Sequence, residues 1–243
     1  MSGRDGGSVD EHRVVSHEKW LSERTALLAA EKEFTRRRDD LSRQRRELAW
    51  EPVETPYVFD APSGEVTLSD LFGTRSQLIV YHFMFSPEWD EGCPHCSFWA
   101  DNFNGIDVHL SHRDVSFVAI SRASLEKIEA FKARMRWNFT WVSSPHSDFN
   151  FDFNASFTEE QARTGTAFFN YGLSDPGPLD REGASVFYKS VDGTIYHTYS
   201  TYGRGIDMLN GAYHYLDLVP KGRDEDNLEF TQAWVRHHDR YDV

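Results

Sequence analysis

Only two cysteines occur in 243 residues, so a disulfide framework is excluded. No apolar run approaches the ~20 residues that a membrane span needs. The opening stretch, Met1 to Val15, is polar and has no apolar centre of signal-peptide type, so the expectation is a cytoplasmic protein with no membrane partner. Positive charge is in deficit, with 26 Lys+Arg against 39 Asp+Glu and a net charge of −13. A phosphate backbone is then a poor ligand, and nucleic acid is not an expected partner. There is no C-x-x-C-H haem site, no P-loop and no H-E-x-x-H pair, and Gly203-Arg204-Gly205 is too short for a dinucleotide loop. No cofactor is expected.

Glycine and proline are also missing from Ser16 to Ala49, and that gap reads as a helix. Ser16 has the chemistry of an N-cap, and Val15 and Trp20 have the spacing of a hydrophobic staple. Pro52 disfavours helix at the residue before it. The expected boundaries are therefore a flexible tail over 1–15, a helical arm over 16–50 and one domain over 51–243. At ~1.5 Å per residue the arm spans roughly 50 Å. Trp20, Leu27, Phe34, Leu41 and Leu48 recur every seven residues along it, yet the second apolar position of a coiled-coil heptad falls on Arg and Glu. The stripe allows a surface helix docked on its own domain, or an arm that joins two copies into a homodimer. Charge divides unevenly. Residues 1–50 hold 11 of the 26 Lys+Arg and 10 of the 39 Asp+Glu, which leaves 15 against 29 for the rest.

Past the arm, short extended stretches at Tyr57 to Phe59 and Glu65 to Leu68 lead into alternating strands and helices. Leu78 to Phe85 is a continuous apolar run of the kind buried on both faces of a sheet. A helix is expected from the cysteines to about Leu110, a strand over Val115 to Ser121, a helix from the Ser124 cap to about Arg136, and a strand over Phe139 to Val142. Residues 143–183 read as loop-rich, broken at Asp175-Pro176-Gly177-Pro178. Ser185 to Ser190 and Thr194 to Ser200 flank Asp192-Gly193, a hairpin signal, and a last helix is expected over about Ile206 to Leu216. The order predicts an α/β sheet with crossover helices.

Both cysteines fall in one run, Gly92-Cys93-Pro94-His95-Cys96, which in such a chain reads first as a redox pair. A spacing of three along a helix puts Cys93 and Cys96 on one face. Pro94 suits the first helical turn, where its missing N–H costs nothing, and that makes Cys93 the N-cap. There the unpaired N–H groups favour an anion, and thiols so placed fall from ~8.5 to ~3.5–7.5. His95 adds a positive charge nearby, while Asp90 and Glu91 oppose it. Cys93 is the expected attacking thiolate and Cys96 the resolving thiol, acting on a protein or small-molecule disulfide.

A strand, a C-x-x-C at a helix start, a crossover and a closing hairpin and helix together resemble the thioredoxin plan. The stretches Glu18 to Leu21, Thr35 to Asp39, Tyr81 to Phe85, Cys93 to Asn104, His109 to Val115, Ser147 to Asn150 and His197 to Tyr202 resemble a bacterial family of unknown function, over roughly residues 16 to 230. Its members are described as predicted dithiol–disulfide oxidoreductases with a thioredoxin-like fold. The resemblance implies a thioredoxin-like central sheet flanked by helices, with the long N-terminal arm added. It also implies a relay for the proton of Cys96, which a buried Asp supplies in thioredoxins. His82, the imidazole in the strand before the dithiol, is the candidate, against the reading of a hydrogen-bonded core histidine. Two features depart from thioredoxins. Their cis-proline position reads Glu182-Gly183-Ala184-Ser185, and the connection from Ser86 to Gly92 is longer.

Rival constellations are weaker. Cys93-x2-Cys96-x12-His109-x2-His112 approaches a zinc pattern, but the histidines belong some 20 Å away, at the far end of a helix. Asp148, Asn150, Asp152, Ser156 and Glu159 approach a calcium loop, but its sixth position, Phe153, is not Gly. The alternation of Phe149, Phe151 and Phe153 with polar residues predicts a strand there instead. No metal is expected. The leading function is a thiol–disulfide oxidoreductase. The alternatives are a non-catalytic dimeric redox sensor or scaffold, and a thiol peroxide reductase using Cys93.

Overall fold

Ser16 opens the first helix by accepting a hydrogen bond from the Lys19 N–H at 3.3 Å, and α1 then runs His17–Glu47. In this computed structural model, which describes residues 12–174 and 177–242, α1 buries none of its residues. Trp20 is 53% and Phe34 67% exposed, so the helix is not docked on its own domain. Its order is local. Ion pairs at i, i+4 spacing join Lys19 to Glu23, Glu33 to Arg37 and Arg43 to Glu47, all of them on the solvated surface of the helix. Trp50 ends the arm against the rings of Tyr188 and Tyr196. Most of the expected tail, and Asp175-Pro176 of the expected loop break, lie outside the described residues.

The chain then lays down β1 (Glu51–Pro52), β2 (Val58–Ala61), β3 (Gly64–Thr67) and β4 (Gln77–His82). Next come α2 (Pro94–Ala100), α3 (Ile106–Ser111), β5 (Val115–Ser121), α4 (Leu125–Arg134) and β6 (Thr140–Ser143). After them follow α5 (Phe149–Asp152), α6 (Glu159–Thr164), β7 (Ala167–Phe169), β8 (Gly172–Ser174), β9 (Gly183–Lys189), β10 (Ile195–Tyr202) and α7 (Gly211–Leu216). Eight strands form one sheet in the order β1-β10-β9-β4-β5-β6-β2-β3, and β7 and β8 pair separately. β4, β5 and β6 are parallel, whereas β9 returns antiparallel to β4 and β10 antiparallel to β9. This is the thioredoxin-like arrangement, with the dithiol helix following the central strand.

Alternation along the central strands divides the core in two. Tyr81, Phe117, Ala119, Trp141 and Ala184 join one cluster with both cysteines. Leu78, Val80, Val118, Ile120, Val142 and Phe187 join the other. The dithiol therefore belongs to one face of the sheet only.

Several expected elements are redrawn. The helix expected to continue from the cysteines to Leu110 stops at Ala100 and restarts at Ile106. Gly105, at φ 84°, allows the turn that seats Phe103 in the core at 1% exposure. β4 ends at His82, and Phe83 to Phe85 continue as buried irregular chain tied to β5 by the Phe83 N–H to the Ile120 carbonyl at 3.0 Å. The strand expected around Phe149 to Phe153 is the single turn α5. Its spacing of four puts Phe149 and Phe153 together, with ring centroids 4.7 Å apart, and turns Phe151 away beneath Arg122. The Asn150 carbonyl then accepts from the N–H groups of Ala155 and Ser156. The last expected helix divides into a 3-10 segment, Gly203–Leu209, and α7, because Asn210 caps α7 by accepting from the Tyr213 N–H at 3.2 Å.

Candidate active site

The connection from β4 to α2 fixes Cys93 from both sides. Its N–H donates to the Met84 carbonyl at 3.0 Å, and its carbonyl accepts from the Ser97 N–H at 3.0 Å and the Ser97 hydroxyl at 2.9 Å. Gly92 precedes it because a Cβ there would lie 2.7 Å from the rings of both Phe131 and Phe83. Pro94 takes the first helical position and Cys93 is the N-cap. Both thiols are free and buried, Cys93 at 8% and Cys96 at 1% exposure.

The two sulfurs are driven apart in acidity. A hydrogen bond from Cys96 holds the Cys93 thiol well below the ordinary range. Burial opposes this, and His95 assists. Burial pushes the Cys96 thiol well above that range, and the neighbouring Cys93 adds to the effect. The hydrogen bond to Cys93 raises the His95 imidazole, against burial. Cys93, Pro94, His95 and Cys96 thus come together as one unit.

His82 does not join them. It lies on the opposite face of β4, stacked on Phe149 at 5.6 Å, and its Nε2 is 2.8 Å from the Ser185 hydroxyl. From there a chain of hydrogen bonds runs to the surface. Ser185 meets Ser200 at 2.7 Å, Ser200 meets His197 Nε2 at 2.7 Å, and His197 Nδ1 meets the Glu51 carboxylate at 2.7 Å. A register shift between His197 and Tyr199 lets residues three apart on β10 face the same side, as a bulge does. Burial pushes His82 down to about 3. It is a neutral, hydrogen-bonded core histidine, and the relay reading is set aside because the sheet stands between it and Cys96.

The residue that does face the dithiol is Tyr81, one place earlier. Its side chain is fully buried, and its hydroxyl lies beside Cys96. Burial first, then the thiols and Glu182, keep that phenol well above its ordinary range and so protonated. The Met84 N–H approaches Cys96 Sγ at 3.4 Å. In a run apolar on every position, nothing in the sequence distinguishes the face of Tyr81 from that of His82. Parity relative to the dithiol helix was the missing signal.

His109 and His112, the other half of the zinc pattern, lie on or just after α3 and are exposed. No cluster of three or more His, Cys, Asp or Glu suited to a metal occurs among the described residues, and no helix among them is long and apolar enough to cross a membrane. A second unforeseen feature is the C-terminal segment after α7. Phe230 meets the His95 ring at 6.0 Å, and His237 Nε2 lies 2.8 Å from the Gly92 carbonyl oxygen.

The sequence matches, over residues 9–241, a family described as bacterial protein of unknown function (DUF899). No curated protein matches it. Among solved structures, it is similar to peroxiredoxin Q of Xanthomonas campestris at 14% identity and a TM-score of 0.44, covering 68% of this chain and 95% of that one. Peroxidoxin BcpB of Mycobacterium tuberculosis gives 15%, 0.43, 67% and 93%. A protein assigned as thiol:disulfide interchange protein DsbE of Chlorobium tepidum gives 14%, 0.39, 72% and 99%.

Proposed function

The chain belongs to the DUF899 family of bacterial proteins, and we propose that it is a thiol–disulfide oxidoreductase of the cytoplasm. The observation that carries this reading is the placement of two free thiols at the start of α2, Cys93 at the N-cap and Cys96 in the first turn, an arrangement in which the pKa of Cys93 is lowered and that of Cys96 raised. Only the thiolate attacks a disulfide, and the resolving thiol must stay protonated until the mixed disulfide exists.

The Cys93 thiolate attacks a substrate disulfide, forming a Cys93–substrate bond and expelling one substrate thiolate. That leaving thiolate takes up a proton, for which the raised His95 imidazolium is the nearby donor. Cys96 then attacks the Cys93 sulfur, its proton passing to the second substrate thiolate as that leaves, and a Cys93–Cys96 disulfide forms. Two electrons pass to the substrate, and an external dithiol restores the pair. The Tyr81 hydroxyl and the Met84 N–H both address Cys96, so they stabilise its thiolate as it forms.

Substitution of the two cysteines tests the reading. Cys96→Ser is expected to trap mixed disulfides through Cys93, and Cys93→Ser to abolish both trapping and reduction. Disulfide reduction that survives in Cys93→Ser would refute the assignment. We assign the arm to pairing with a second copy, because its stripe of Trp20, Leu27, Phe34, Leu41 and Leu48 is about half exposed or more at every position. Its near-balanced charge also faces a strongly acidic remainder.

A further inference from the structure

The chain after α7 has little regular structure, yet it is tied down at many points. The Glu225 carboxylate alone accepts from the Tyr213 hydroxyl at 2.9 Å, the Gln232 N–H at 3.1 Å and the Trp234 indole at 2.6 Å. Gln232 is held at φ 70°, a left-handed conformation that a non-glycine residue keeps only when its surroundings impose it. Further along, Arg240 forms two bonds of 2.8 Å to the Glu91 carboxylate. Arg134 bridges Glu91 and Asp239, each at 2.7 Å.

These ties bring the segment over the dithiol. His237 bonds the Gly92 carbonyl, immediately before Cys93. Phe230 lies against the ring of His95, two residues after it, and the Gln232 backbone faces the same imidazole. Trp234 packs on Phe98 at 5.4 Å, one turn further along α2. The residues on both sides of the attacking sulfur are covered, and Cys93 is left 8% exposed.

We propose that residues 218–242 are a specificity-determining cover which admits low-molecular-weight disulfides to Cys93 and excludes disulfides carried on folded proteins. The proposal rests on the oxidoreductase reading given above. Sulfur exchange requires the attacking thiolate to reach bonding distance of a target sulfur, ~2.05 Å in the product, along the line of the bond that breaks. A folded protein brings backbone and side chains with its disulfide, and these would occupy the space held by Phe230, Gln232 and His237. A slender disulfide RS–SR brings no such bulk with its sulfurs. The balance is that of the dithiol reaction: Cys93–S⁻ displaces RS⁻, Cys96 displaces the second RS⁻, and RS–SR leaves as two RSH while the protein gains one disulfide. A small dithiol reductant, subject to the same restriction, restores the pair.

Two measurements on the full chain separate the cover from the chemistry. The first is the rate of Cys93 alkylation by iodoacetamide and by a polyethylene-glycol maleimide, each scaled to its rate with a free small thiol. The scaled rate for the large reagent is expected to be at least about tenfold lower, because it waits on local opening of the segment. Phe230→Ala, at a half-exposed position, and Arg240→Ala, at a surface ion pair, should each narrow that gap. Equal scaled rates in the unaltered protein overturn the cover. The second is turnover of hydroxyethyl disulfide against insulin. The first should be reduced faster, and Phe230→Ala should speed insulin reduction while leaving the small disulfide within about twofold. Insulin reduced equally fast by the unaltered protein and by Phe230→Ala overturns the proposed selectivity. A size gap in alkylation with turnover of neither disulfide overturns the oxidoreductase reading, and the substrate class with it, while the cover itself stands.

Discussion

Acid should unfold this protein in a way that one buried histidine controls. His82 is 1% exposed, its Nε2 bonded to Ser185 and its Nδ1 without a partner among the described residues, and it is pushed down to about 3 by burial first and then by His197. In the unfolded chain a histidine takes its proton near pH 6.5. The folded state binds fewer protons across that interval, so stability is full above the unfolded value and is lost as the pH falls from about 6.5 toward 3. The slope is about 1.4 kcal/mol per pH unit, which makes ~2.7 kcal/mol between pH 6.5 and 4.5. For a chain of this size that is a fall of about 5–11 °C in Tm. His82→Gln places an amide where Nε2 lies, within reach of the Ser185 hydroxyl, but cannot titrate. It should start less stable by about 1–3 kcal/mol at pH 7, and the difference should shrink, and then reverse or vanish, by pH 4.5. Urea midpoints for both proteins between pH 4.5 and 7.5 measure this double difference. His95, whose raised imidazole works in the opposite direction, is present in both proteins and cancels. Parallel stability curves over this range would show that His82 is not held neutral, and the sheet-face assignment would lose its electrostatic support.

Tyr81→Phe removes one donor from the forming Cys96 thiolate, an interaction worth about 1.5–3 kcal/mol when the acceptor is charged. The second exchange step should therefore slow by about tenfold or more, with accumulation of mixed disulfide and unchanged alkylation of Cys93. An unaltered second step in stopped-flow would remove Tyr81 from the mechanism. For the arm, Leu27→Asp with Phe34→Asp should halve the mass seen by light scattering without lowering the melting temperature of the remainder, because neither side chain is buried. An unchanged mass would refute pairing through α1.

Much of the fold was legible because its signals are local. Ser16, the Gly- and Pro-free stretch after it, and Asp192-Gly193 each state their own turn or cap, and the β9–β10 hairpin and α1 stand where those residues put them. What stayed hidden depends on partners far away in sequence. The alternating phenylalanines from Phe149 to Phe153 have a strand's period, yet they form a helical turn because Ser144 and Asn150 bond at 2.6 Å and close a compact corner. The fate of α1's apolar stripe was open for a similar reason. Periodicity shows which residues share a face, not whether the domain offers that face a surface. Residues after Leu216 carry no period at all, and their position over the dithiol is fixed by pairs such as Arg240 with Glu91, which are 149 positions apart.

Tyr81 and His82 show how one peptide bond can serve two chemistries. In a strand, neighbours point to opposite faces, and here the faces differ in what they need. The face of Tyr81 holds a sulfur that must become an anion, so a proton donor of high pKa is useful there and a base would compete for the same proton. The face of His82 has no reacting group. A neutral imidazole there completes a hydrogen-bonded line through Ser185, Ser200 and His197 to Glu51, which joins β4, β9, β10 and β1 edge to edge. A one-residue slip of β4 would put the imidazole against Cys96 and strand the serine hydroxyls. The polar network and the dithiol therefore specify the same register, each by penalising the alternative that would spoil the other.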